Sequence, residues 1–151
     1  MVTERTLESV TGERMVIQES TPDVLRFERH LLPRQRPVPK VAHPTQEAHL
    51  KVLEGRLHAT VGGKTRDYGA GESLTVPAGT FHSAWNVDAQ PARVLVEFSP
   101  AEGILGFFEE MMGLTSMNLL GIARVVKHHR EAVRLAAPYA QIVGLLGLFV
   151  R

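Results

Sequence analysis

Residues 71–86, Gly-Glu-Ser-Leu-Thr-Val-Pro-Ala-Gly-Thr-Phe-His-Ser-Ala-Trp-Asn, constrain the fold more than any other stretch of this chain. They read as strand, tight turn, strand. Pro77-Ala78-Gly79 sets one φ and frees a later one, as a tight turn requires. The next short strand begins directly afterwards, so His82 is expected just beyond the turn, at the mouth of a β-structure.

The same rhythm runs through residues 13–99, where short strand-like runs are punctuated by Thr21-Pro22-Asp23, Pro33-Arg34-Gln35, Gly62-Gly63-Lys64 and Gly69-Ala70-Gly71. Such spacing predicts an antiparallel sandwich or barrel. Leu57, Ala59 and Val61 recur with period two and Arg56, His58 and Thr60 take the opposite face, so one side of that strand is core and the other wet.

The period changes at Ser99-Pro100, where serine is expected to cap a helix and proline to open it. Ile104, Phe107, Phe108, Met111 and Met112 follow at helical spacing, and Gly113 supplies a stop. A second helical run follows Thr115-Ser116, with Leu119, Leu120, Ile122, Ala123, Val125 and Val126 before Lys127-His128-His129-Arg130. A third is expected over Tyr139 to Phe149. The expected division is a barrel over residues 1–99 and a helical extension over 100–151, packed on the barrel or on a partner subunit.

A chain of 151 residues suits one domain and can bury a core without covalent staples. It contains no cysteine, which excludes disulfides, thiolate zinc sites and a cysteine nucleophile. Seventeen Lys and Arg against sixteen Asp and Glu, with no basic cluster, argue against a nucleic-acid partner. Met1-Val2-Thr3-Glu4-Arg5 lacks the features of a secretory signal. The apolar run Ala136 to Val150 carries Pro138 and Gln141 and falls short of the ~20 residues that span a bilayer. A cytoplasmic protein without a membrane partner is expected.

Gly71, Pro77, Gly79, His82 and Asn86 match in full the second motif of the cupin superfamily: glycine, five residues, proline, any, glycine, two residues, histidine, three residues, asparagine. In this the chain resembles that superfamily, and the resemblance implies a mainly β fold, an antiparallel jelly-roll barrel with two motifs lining one cavity. The first motif is degenerate. Only its second histidine, His43, and its last glycine, Gly55, align cleanly; Val41 stands where the family's first histidine would be, Ala48 at its glutamate and Gln35 at its opening glycine. Glu47 lies one residue away from the glutamate register and points outward unless a bulge re-aims it.

The resemblance implies that His43 and His82 share the cavity. Members with three histidines and one carboxylate hold iron, manganese or nickel; this pattern leaves two imidazoles, an incomplete metal set, and no cofactor is firmly expected. Ligand contacts are expected from His43, His82, Val41, Ala48, Leu50, Asn86 and Arg29. Arg29 shares a period-two row with Leu25, Phe27 and Leu31, which would turn its guanidinium inward to fix a carboxylate, while a slip of one residue would place it in solvent. Phe81 and Trp85 either wall the entrance or complete packing. His49 and His58 fall on outward faces by alternation. His128 and His129, adjacent on one helix, are not expected to point the same way, and take a solvated or interface role.

The leading expectation is a barrel that binds a small, largely apolar organic molecule without a firmly held metal. The alternatives are an enzyme, either a degenerate metal-dependent oxygenase or isomerase recruiting Glu47 or Gln46 or a metal-free acid–base catalyst, and a structural or regulatory module. The stripe from Ile104 to Met112 needs burial against the barrel or a second copy, and a homodimer is expected.

Overall fold

The computed structural model of the protein describes residues 4–147. In chain order its strands are β1 (Arg5–Glu8), β2 (Arg14–Ser20), β3 (Leu25–Leu31), β4 (Val41–Ala42), β5 (Glu47–Glu54), β6 (Arg56–Val61), β7 (Lys64–Gly69), β8 (Ser73–Val76), β9 (His82–Trp85), β10 (Ala92–Ser99) and β11 (Arg134–Leu135). The helices are α1 (Ile104–Met112), α2 (Leu119–His128) and α3 (Tyr139–Leu146). One sheet has the order β1-β2-β3-β10-β5-β8 and the other β11-β4-β9-β6-β7, with antiparallel pairing throughout.

The core follows from strand alternation. Ala92, Val94, Val96 and Phe98 of β10 are buried and face Leu25, Phe27 and Leu31 of β3 and Ala48 and Val52 of β5 within the same sheet. Leu57 and Ala59 of β6 close the core from the opposite sheet. Gly55 joins β5 to β6 at φ 77°, and a Cβ there would lie 2.7 Å from the Pro91 carbonyl oxygen. Both the left-handed backbone and the close approach call for glycine at this corner.

The extension begins later than Ser99-Pro100 suggested. Ser99 ends β10, and the Ala101 N–H donates to the Pro22 carbonyl at 3.0 Å, which ties the chain to the β2–β3 turn before α1 starts with Gly103 at its N-cap. Asn118 caps α2, its side chain accepting the Gly121 N–H at 2.8 Å. α3 ends at Leu146, so the part of the expected run that reaches Phe149 lies outside the described residues.

The apolar stripe of α1 is buried against its own barrel. Ile104 and Phe107 are inaccessible or nearly so, and Phe108 meets Phe27 edge-on at 5.2 Å and Phe98 at 5.6 Å. Burial of Ile104 and Phe107 contributes about 2 kcal/mol each, which offsets the marginal stability of so short a helix in isolation. The extension is also stitched in by hydrogen bonds, because β11 pairs with β4 as an outer strand of the second sheet. α3 packs on α2 and β11, with Val143 buried and Ile142 and Leu145 exposed.

Candidate functional site

Two segments converge at the barrel end closed by the extension. The Pro77–Gly79 turn delivers His82 onto β9, and the Gly79 N–H donates to the His43 carbonyl at 2.8 Å, so the second motif is tied directly to the remnant of the first. The His43 and His82 rings lie 5.2 Å apart. Val41 pairs with His82 across β4 and β9, and Ala48 is buried on the inward face of β5 between Phe98 and Val76.

His43 is 5 % exposed, edge-on to Phe98 at 5.0 Å, with Phe107 of α1 at 6.4 Å. Its Nδ1 lies 2.8 Å from the Ala132 carbonyl oxygen, and His82 Nδ1 lies 3.2 Å from the Thr80 carbonyl oxygen. A carbonyl only accepts, so each Nδ1 carries the proton and each Nε2 presents a lone pair. Among the described residues neither Nε2 has a hydrogen-bond partner.

Burial pushes the His43 pKa down to about 4, against the raising effect of the Ala132 hydrogen bond, and the nearby His82 adds a small depression. Burial likewise lowers the His82 pKa, opposed by the Thr80 hydrogen bond and helped by the positive charge of Arg29. The pair is neutral at physiological pH.

Arg29 takes the inward register: its cross-strand neighbours Met15 and Val94 are both buried. The carboxylate it binds is that of Glu13, through Nε at 2.8 Å and through a close Nη2 contact. Gln35 joins this pair to the second motif, its Nε2 reaching Glu13 at 3.5 Å and its Oε1 accepting the Asn86 N–H at 3.0 Å.

Asn86 is fully buried, and its amide is spent on the chain itself. Nδ2 donates to the Leu32 and Gln90 carbonyls at 3.2 and 2.7 Å, and Oδ1 accepts the Asp88 N–H at 3.0 Å. It therefore clamps the loops beside β9, and a ligand contact of the kind its motif position suggested would have to displace these bonds. Leu50 lies on the same face of β5 as Ala48, half-buried between Val96 and Leu74.

The remaining candidates separate by strand parity. Glu47 is exposed and pairs with His49 at 2.8 Å on the outer face, so it does not swing inward to complete a donor set. His58 bonds Asp67 at 2.6 Å beside Trp85, whose ring lies 5.0 Å away, and Phe81 is exposed. Gln46 is 2 % exposed; its Nε2 donates to the Glu102 carbonyl at 3.1 Å, while its buried Oε1 has no partner. Sequence reasoning treated Gln46 only as a substitute ligand and gave no signal for this orphan oxygen.

His128 and His129 do converge. His129 is the C-cap of α2 with non-helical backbone (φ −121°, ψ 32°), which swings its ring round so that His128 Nδ1 and His129 Nε2 reach the two oxygens of Glu110 at 2.8 and 2.7 Å. These bonds hold the Glu110 carboxyl below its usual range even though partial burial acts in the other direction. They lock α1 to α2 behind Phe107, whose ring is 6.2 Å from that of His129.

The residues present do not fit the metal centre common among proteins of this fold. Two imidazoles converge without a carboxylate, and the missing positions hold Val41 and Ala48. Among the described residues no three His, Cys, Asp or Glu side chains are grouped to hold an ion.

Fold and motif agree with the family match: the family described as a cupin domain matches residues 27–98, and the barrel is a cupin domain. Three solved structures illustrate the likeness. TT1209 from Thermus thermophilus is 26% identical, with a TM-score of 0.54 over 58% of this chain and 83% of that one. KdgF from a Halomonas species is 20% identical with a TM-score of 0.58, covering 68% and 90% of the two chains. An RmlC-like cupin from Shewanella frigidimarina is 19% identical with a TM-score of 0.56, covering 68% and 89%. No curated protein matches the chain significantly. No helix among the described residues is long and apolar enough to cross a membrane.

Proposed function

We propose that the barrel binds a small, largely apolar organic molecule carrying hydroxyl or N–H donors, and does so without a resident metal. The observation that supports this most directly is the pair of neutral imidazoles, 5.2 Å apart, each with its Nδ1 proton committed to a backbone carbonyl and its Nε2 lone pair unpaired among the described residues. Two such lone pairs accept hydrogen bonds from a ligand, while Val41, Ala48 and Phe98 give the surroundings an apolar character. Glu13 neutralises Arg29, so the site does not call for a ligand carboxylate.

Binding is better supported than catalysis by proton transfer. An imidazole whose pKa is about 4 is a weak base at neutral pH, where an effective general base titrates close to the working pH. A divalent cation held by two imidazoles without a carboxylate would be retained weakly. Pairing of two copies is proposed through the exposed side chains Leu119, Leu120, Ile142 and Leu145, since the α1 stripe is already covered within the chain.

Native mass spectrometry of protein purified without chelators tests the reading. The expected spectrum shows no stoichiometric iron, manganese, nickel or zinc, and a co-purified or added hydroxylated ligand whose retention falls at least about tenfold in His82→Ala, the loss expected from one hydrogen bond of about 1.4 kcal/mol. One tightly held metal per chain, lost in the same variant, would overturn it.

A further inference from the structure

The extension carries a second concavity, lined by none of the residues of the imidazole site. It is an open groove of about 880 Å³ between α2, β11 and α3, within the size range of small-molecule sites. Ala123, Val126, Lys127 and Arg130 contribute from α2 and the turn after it, and Ala140, Val143, Gly144 and Gly147 from α3. Ala123, Val126 and Lys127 share one face of α2 and Ala140, Val143, Gly144 and Gly147 one face of α3, while Arg130 joins the lining from the turn after α2. Val133 and Leu135 complete an apolar floor.

Along α2 and the turn after it the lining passes from Ala123 and Val126 to Lys127 and Arg130; Arg134 of β11 adds a second guanidinium, and Glu131 is the sole acidic liner. Six arginines of the barrel are held in ion pairs: Arg5, Arg26, Arg29, Arg56, Arg66 and Arg93. Arg130 and Arg134 are exposed and, among the described residues, have no such partner. Lys127 spans the groove, its Nζ donating to the Gly147 carbonyl at 3.0 Å. The α3 wall is built of small residues, and a Cβ at Gly144 or Gly147 would meet nothing within 4 Å, so the space between the helices is unfilled by the described residues.

We propose that this groove is a binding site for a long-chain carboxylate, with the hydrocarbon chain on the Ala123–Val126–Val143 floor and the carboxylate between Arg130 and Arg134. A guanidinium pairs with a carboxylate through two parallel hydrogen bonds, and the lengthwise change from apolar to cationic matches a single-chain amphiphile rather than a compact polar metabolite. A phospholipid surface is a poorer fit, because the apolar liners form a concave floor between two helices instead of a convex face that could enter a bilayer.

The test is calorimetric titration of the delipidated full-length protein with laurate, kept below the concentration at which it aggregates. One laurate per chain is expected. Arg130→Gln combined with Arg134→Gln is expected to weaken binding about tenfold or more, and dodecanol, which lacks the charge, to bind wild type about tenfold more weakly. Gly144→Leu is expected to remove binding while melting at or above the wild-type temperature, because its side chain enters open space in a helix that gains propensity. His82→Ala is expected to bind laurate as wild type does, which separates this site from the barrel. Absence of saturable binding, full binding by Gly144→Leu, equal affinity for dodecanol, or loss of laurate in His82→Ala with retention in Gly144→Leu would each overturn the proposal.

Discussion

Acid is expected to charge His43 in the unfolded chain well before it does so in the folded one. The ring is buried, its folded pKa is about 4, and the ordinary value for an exposed histidine is 6.5. Between those values the unfolded state binds a proton that the folded state refuses, so stability rises with pH across the window and is lost as the pH falls through it. Integrating this single titration gives a loss of about 2 kcal/mol on going from about pH 8 to about pH 5, and of about 3 kcal/mol by about pH 4. His82 adds to the loss in the same direction. Urea unfolding of wild type and His43→Asn at several pH values isolates the His43 part, because asparagine Nδ2 keeps a donor for the Ala132 carbonyl but does not titrate, and all other groups cancel in the difference. The wild-type stability minus that of the variant is expected to fall by about 2 kcal/mol over that range. A difference that stays flat between about pH 8 and about pH 5 would show that His43 takes up its proton as easily folded as unfolded, and the account of a desolvated, neutral imidazole pair would fail.

Asn86→Ala removes three hydrogen bonds made by a buried amide and is expected to lower stability by about 3 kcal/mol in urea unfolding, with only a small change in ligand affinity per folded molecule. Gly55→Ala is expected to cost more than Gly63→Ala by thermal denaturation: both have positive φ, worth about 1–2 kcal/mol to an alanine, but only Gly55 also collides with backbone. Light scattering at micromolar concentration is expected to give twice the chain mass, and Leu119→Glu with Leu145→Glu to give the monomer, both residues being exposed and outside the barrel core. A monomeric wild type would remove the pairing surface.

Features governed by local rules were legible without coordinates. The turn at Pro77–Gly79, the alternation of β6 up to Ala59 and the helical period after residue 103 depend on near neighbours, although Thr60, expected on the wet face, is buried; that the two histidines meet was implied by the family resemblance. What stayed hidden depends on contacts far apart in sequence. The partner of Arg29 is Glu13, that of His43 is the Ala132 carbonyl, and Glu110 gathers two histidines only because the chain leaves helical geometry at His129. Asn86 matched its motif position, yet nothing in that spacing revealed that Leu32, Asp88 and Gln90 absorb its amide. The two-residue strands β4 and β11 carry no periodic signal at all.

Val41 occupies a position with mechanical as well as chemical weight. It stands between Leu135 on one side and His82 on the other, while two residues later His43 grips the Ala132 carbonyl. This end of the barrel is thus sewn to the tail at two adjacent points. Cutting the chain before β11 would not yield a trimmed barrel with the same interior: it would leave β4 with one neighbour, strip the Nδ1 partner from His43 and release its ring.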